Sequence, residues 1–105
     1  MEVSKSDWKL FQDRLPQWQE NYMGQLCEEY IMILSKRDEN PSSRFWELEK
    51  RIKEDKHLPG VRLELSKRSM PVDIIRLIND GAISIADLDG FSDELVDYIK
   101  GFIER

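Results

Sequence analysis

With 105 residues, one cysteine and a formal charge of −5, the chain is long enough to bury a hydrophobic core without staples and cannot close an internal disulfide. Apolar residues make up 40% and charged residues 35%, a balance that suits amphipathic helices with solvated outer faces and argues against disorder. The longest uninterrupted apolar run, Tyr30 to Leu34, is far below the roughly 20 residues of a membrane span, and the opening MEVSKSDWK holds no apolar stretch that could act as a secretory signal; one domain over residues 1–105, cytoplasmic and without a membrane partner, is expected.

Trp8, Phe11, Leu15, Trp18, Tyr22, Leu26, Tyr30 and Ile33 recur at intervals of three and four, the mark of one helical face. Ser4 or Ser6 suits the cap, and Asp7 suits the positive end of the helix dipole. Pro16 lacks the N–H that Gln12 would bond and disfavours helical angles at Leu15. The pattern therefore predicts a short helix, a kink or break at 15–16, and a long helix over 16–37.

Asn40-Pro41 reads as a cap followed by proline at the first helical position, opening a helix over 41–56. Phe45, Leu48 and Ile52 form its narrow apolar stripe, and the acid-before-base pairs Glu47–Arg51 and Glu49–Lys53 support its solvated faces. Cys27, between Met23 and Tyr30 on a helix face, reads as a small buried hydrophobe. Pro59-Gly60 ends the second helix. Val61, Leu63 and Leu65 then alternate with charge, which predicts an extended connector with room for a minor two-stranded pairing near 61–65.

From Ser69 the period returns to helical, with Pro71 in the first turn and Gly81 just past the end of a helix over 71–80. Ser84 and Asp87 have capping-box spacing for a helix of one or two turns that Gly90 closes. Ser92 caps the last helix, whose stripe is Phe91, Leu95, Ile99 and Phe102. Together these elements predict an all-α fold, a compact bundle of five or six helices with a long kinked N-terminal helix.

The stretch DLDGFSDE, Asp87 to Glu94, resembles part of a calcium loop. With Gly90 at loop position 6, Asp87, Asp89 and Asp93 fall at positions 3, 5 and 9, but positions 1 and 12 become Ile85 and Val96. An EF-hand needs an oxygen ligand at the first and a bidentate glutamate at the last, so the acids read as helix punctuation. One cysteine and one histidine cannot supply the usual ligands of zinc. The five glycines are scattered, which excludes a phosphate loop. His57 at the end of a charged helix complements its dipole. No metal, cofactor or catalytic residue is expected, and the chain is not read as an enzyme.

Charge is unevenly spread. Residues 1–40 carry five Lys/Arg against eight Asp/Glu, residues 41–70 eight against five, and residues 71–105 three against eight. Acidic flanks disfavour nucleic-acid binding, because phosphate neutralisation needs an unopposed positive surface. The alternative reading, a nucleic-acid-associated regulator, rests on the basic segment 44–68, with Arg44, Lys50, Arg51, Lys53, Arg62, Lys67 and Arg68, and with Trp46 off the apolar stripe.

The preferred reading is a small cytoplasmic protein-binding accessory or regulatory factor. Tyr30 to Leu34 leave no polar arc over more than one helical turn, and one domain core covers only one side of a helix. Ile31, Met32, Leu34 and Trp46 are therefore the candidate protein interface. The helix at 71–80 is a second apolar surface, read either as core or as contact, and a homodimer is one way to cover both.

Overall fold

The computed structural model describes residues 1–103. Among them four α-helices and one 3-10 turn follow in order: α1 (Lys5–Leu34), α2 (Pro41–Asp55), α3 (Met70–Asn79), the turn Ile85–Leu88, and α4 (Asp93–Ile103). The N-terminal half of α1 joins α3, the turn and α4 around one core built from Phe11, Leu15, Trp18, Met70, Ile74, Leu77, Leu88, Leu95 and Ile99. The C-terminal half of α1 folds back through a short loop onto α2 as a helical hairpin. No residue of α2 belongs to the core cluster.

That arrangement is elongated, which corrects the expectation of a compact bundle. The radius of gyration is 16.5 Å, against roughly 13 Å for a compact chain of this length. The extents are 51 × 26 × 18 Å, and the 30 residues of α1 account for about 45 Å of the longest.

The helix count is also lower than expected, for two reasons. First, α1 runs unbroken through Pro16. The proline is exposed, while Phe11, Leu15, Trp18 and Tyr22 are buried in one phase on either side of it. Continuity of that buried face outweighs the roughly 3 kcal/mol that an interior proline costs. Pro16→Ala restores an N–H toward Gln12 without disturbing the core, and is expected to stabilise the fold by about 1–2 kcal/mol, after allowing for the lost stiffening of the unfolded chain. Urea denaturation of the two proteins checks this; an unchanged or lower midpoint would contradict it. Second, the Ser84–Asp87 box closes only a single 3-10 turn, in which the Asp87 carboxylate accepts the Ser84 N–H at 2.7 Å.

The two-stranded pairing near 61–65 does not form, since no strand occurs among the described residues. The other alternating stretch of the sequence, Ala82 to Ile85, is engaged elsewhere. The N–H groups of Ala82 and Ile83 donate to the Leu77 carbonyl at 2.9 and 3.4 Å, closing the C-terminal end of α3. The ambiguity over that helix is resolved as well: Met70, Ile74 and Leu77 are buried, so α3 is core, and of its apolar residues only Val72 is exposed.

Three contacts lock the layers together. Asp7, buried in the first turn of α1, accepts the Ser92 N–H at 2.9 Å and the Ser92 hydroxyl at 2.5 Å, and Ser92 in turn accepts the Leu95 N–H at 3.3 Å to cap α4. Arg14 donates to the carbonyl oxygens of Asp87 and Asp89 and lies 5.3 Å from the centre of the Phe91 ring. Gly90 has a φ of +95°, which a side chain rarely adopts, and an added Cβ there would come within 2.8 Å of the Arg14 guanidinium. The acidic turn is thus pinned to α1 by an arginine. Finally, Pro59 and Gly60 are buried beneath α1, where Gln19 donates to the Pro59 carbonyl at 3.0 Å.

Candidate docking surface on the hairpin

The face that α2 turns toward α1 is Arg44, Leu48, Arg51 and Asp55, spaced by four, three and four. Arg44 donates to the Leu34 carbonyl at 2.6 Å, satisfying one of the free carbonyls at the end of α1. The Tyr30 hydroxyl donates to the Asp55 carboxylate at 2.7 Å, and Arg51 bridges Glu29 at 3.1 Å and Asp55 at 3.4 Å. Burial, and then the bond to Asp55, push the Tyr30 hydroxyl well above the usual tyrosine range. Only one of the four facing residues is apolar.

This corrects the reading of the Phe45-Leu48-Ile52 stripe as the packed side of the second helix. Phe45 is 61% and Ile52 44% exposed. The stripe lies on one edge of the hairpin instead, where it lines an open depression with Glu49, Lys53 and Lys56. Ile52, Lys56 and Val61 continue it into a second depression with Met23, Cys27 and Tyr30 of α1. Ile31 and Leu34 follow Cys27 at i+4 and i+7, so they extend the same edge toward the loop. Cys27 is exposed, contrary to its reading as a buried hydrophobe.

The opposite edge is closed. There Lys36 meets Glu47 at 3.2 Å and Arg51 meets Glu29. Each exposed pair contributes only about 0.2–1 kcal/mol, but together they cover that side with charge. The hairpin is therefore two-sided, with ion pairs along one edge and apolar side chains along the other.

All four candidate interface residues are exposed, Ile31 at 56%, Met32 at 71%, Leu34 at 45% and Trp46 at 62%. The structure does not gather them on one surface. Ile31 and Leu34 share the open edge with Phe45. Met32 falls on the other side of α1, and Trp46 on the back of α2, where its ring meets Phe45 edge-on at 5.0 Å. Phe45 and Ile52 are the members that sequence reasoning missed. The signal was the second set of threes and fours on the same helix, 44-48-51-55, whose claim to the inner face rests on partners in α1.

The basic segment is dispersed. Arg44 and Arg51 are engaged inside the hairpin, while Lys50 and Lys53 are exposed on α2. Arg62 is exposed on the connector, and Lys67 and Arg68 line a separate depression with Met1, Glu2 and Val3. Among the described residues no group of three His, Cys, Asp or Glu side chains is placed to hold a metal ion, and no helix is long and apolar enough to cross a membrane. Against family models, curated proteins and solved structures alike, the chain finds no match.

Proposed function

We propose that the protein is a non-catalytic binding module that docks another polypeptide along the open edge of the α1–α2 hairpin. One observation carries this reading. Among the described residues, four of the ten large apolar side chains left exposed lie along this one edge: Ile31, Leu34, Phe45 and Ile52. Apolar surface gathered in this way marks an interaction site, whereas scattered single residues do not. Two helices side by side offer a groove that takes a further amphipathic helix, with anchors at i, i+3 and i+7.

The test uses the full chain and Phe45→Asp as paired baits in affinity capture from the native host, followed by titration of each retained polypeptide with purified protein. Phe45 is exposed, so the variant is expected to keep the helical content and melting temperature of the parent. Binding by the parent that falls at least tenfold in Phe45→Asp supports the reading. Equal binding by a folded Phe45→Asp places any docking elsewhere and overturns it.

A further inference from the structure

We infer that the occupant of the open hairpin edge is a second copy of this chain, the two hairpins closing into a four-helix bundle about a two-fold axis parallel to α1. The inference rests on the docking reading above and names its partner. Three observations carry it.

The hairpin lacks a layer. The C-terminal half of α1 buries Leu26 and Ile33 outside the shared core, while α2 contributes nothing to that core and meets α1 through a line with a single apolar residue. Helix pairs become stable when a second pair covers their common face, as in an antiparallel four-helix bundle.

The area is of the right order. On side chains of roughly 150–250 Å², the exposed fractions of Ile31, Leu34, Phe45 and Ile52 amount to about 400 Å² of apolar surface per chain. Interfaces are close to 60% apolar, so two such edges imply roughly 1,300 Å² in total, within the range of specific dimers.

The rims are self-complementary. Beyond the apolar strip, α2 presents two lysines, Lys53 and Lys56, against one glutamate, Glu49, while the corresponding border of α1 carries Glu20 and Glu28, all exposed. A two-fold axis along the hairpin lays α1 of one copy antiparallel to α2 of the other. The net-basic border then faces the partner's acidic border twice.

Light scattering during size exclusion at tens to hundreds of micromolar is the first measurement. The parent is expected at twice the 12.5 kDa chain mass. Lys53→Glu with Lys56→Glu opposes acid to acid and should raise the dimer dissociation constant at least tenfold; Glu20→Lys with Glu28→Lys should do the same. All four substitutions in one chain restore opposite charges across the axis and should recover the dimer. A parent that stays monomeric overturns the inference while leaving the docking reading to its own capture test. A dimer that Phe45→Asp leaves intact, or that the fourfold variant fails to recover, overturns this geometry.

Discussion

Asp7→Ala should lower the unfolding free energy by about 2–4 kcal/mol, with a melting temperature lower by roughly 10–20 °C. The side chain is 4% exposed and is the acceptor for both the N–H and the hydroxyl of Ser92. Alanine removes the acceptor of both, and although Ser92 is itself exposed, solvent then has to replace two charge-assisted bonds. It also removes a negative charge from the N-terminal end of α4, where the dipole favours one. The loss is not local. Residues 7 and 92 lie at opposite ends of the sequence, and their contact holds α4 against α1. Asp7→Asn keeps one acceptor oxygen but turns an amide donor toward a donor, so it should fall between the parent and alanine. Urea denaturation with an unchanged slope is the measurement. A loss under about 1 kcal/mol for alanine would show that water replaces the carboxylate, and would remove this contact from the account of the fold.

Gly60→Ala is the second large effect, expected to destabilise by about 2–3 kcal/mol. A Cβ on this residue would lie 2.8 Å from Cγ and 2.9 Å from Cε2 of Tyr22, distances that real Cβ atoms do not reach. Tyr22 is itself buried against the connector, so its ring has no free rotamer to retreat into. Either the connector lifts from α1 or the ring is expelled, and both disturb the base of the hairpin. Gly24→Ala is the internal control, because nothing lies within 4 Å of a Cβ there and alanine is favoured over glycine inside a helix by about 0.5–1 kcal/mol. Opposite signs for the two substitutions are expected in parallel thermal melts. If Gly60→Ala melts at or above the parent, the close approach of the connector to α1 is wrong.

The extent to which the sequence discloses this structure follows from which forces are local. Helix ends were legible, because Asn40-Pro41, Gly81, Ser84–Asp87 and Ser92 act through neighbouring backbone. The core face of α1 was legible for the same reason. Pro16 misled because its penalty is local while the burial that overrides it comes from α3 and α4. The calcium-like segment shows the converse: its missing ligand positions were readable, yet nothing near it in sequence announced Arg14 as the residue that pins it.

The candidate surface was half legible. The run from Tyr30 to Leu34 announced apolar side chains beyond what one core can cover, and Ile31, Met32 and Leu34 are indeed exposed. The orientation of α2 was not. Two stripes compete for its inner face, one mostly apolar and one mostly charged, and hydrophobicity alone selects the wrong one. The choice is made by hydrogen bonds to Glu29, Tyr30 and the Leu34 carbonyl, partners that cannot be identified before the chain has turned back on itself.

The unbroken course of α1 explains how a hairpin with so little packing of its own persists as helix. Starting a helix is the unfavourable step, since several residues are fixed for the first hydrogen bond, whereas each later residue adds a bond for itself alone. In this chain the core holds α1 helical at Phe11, Leu15 and Trp18, a stretch that can serve as the nucleus for the rest. Residues beyond Tyr22 inherit it by propagation, without nucleating anew. Had Pro16 divided α1 in two, the segment facing α2 would have to initiate on its own contacts, and the open edge would lose the rigid backbone on which its side chains are displayed.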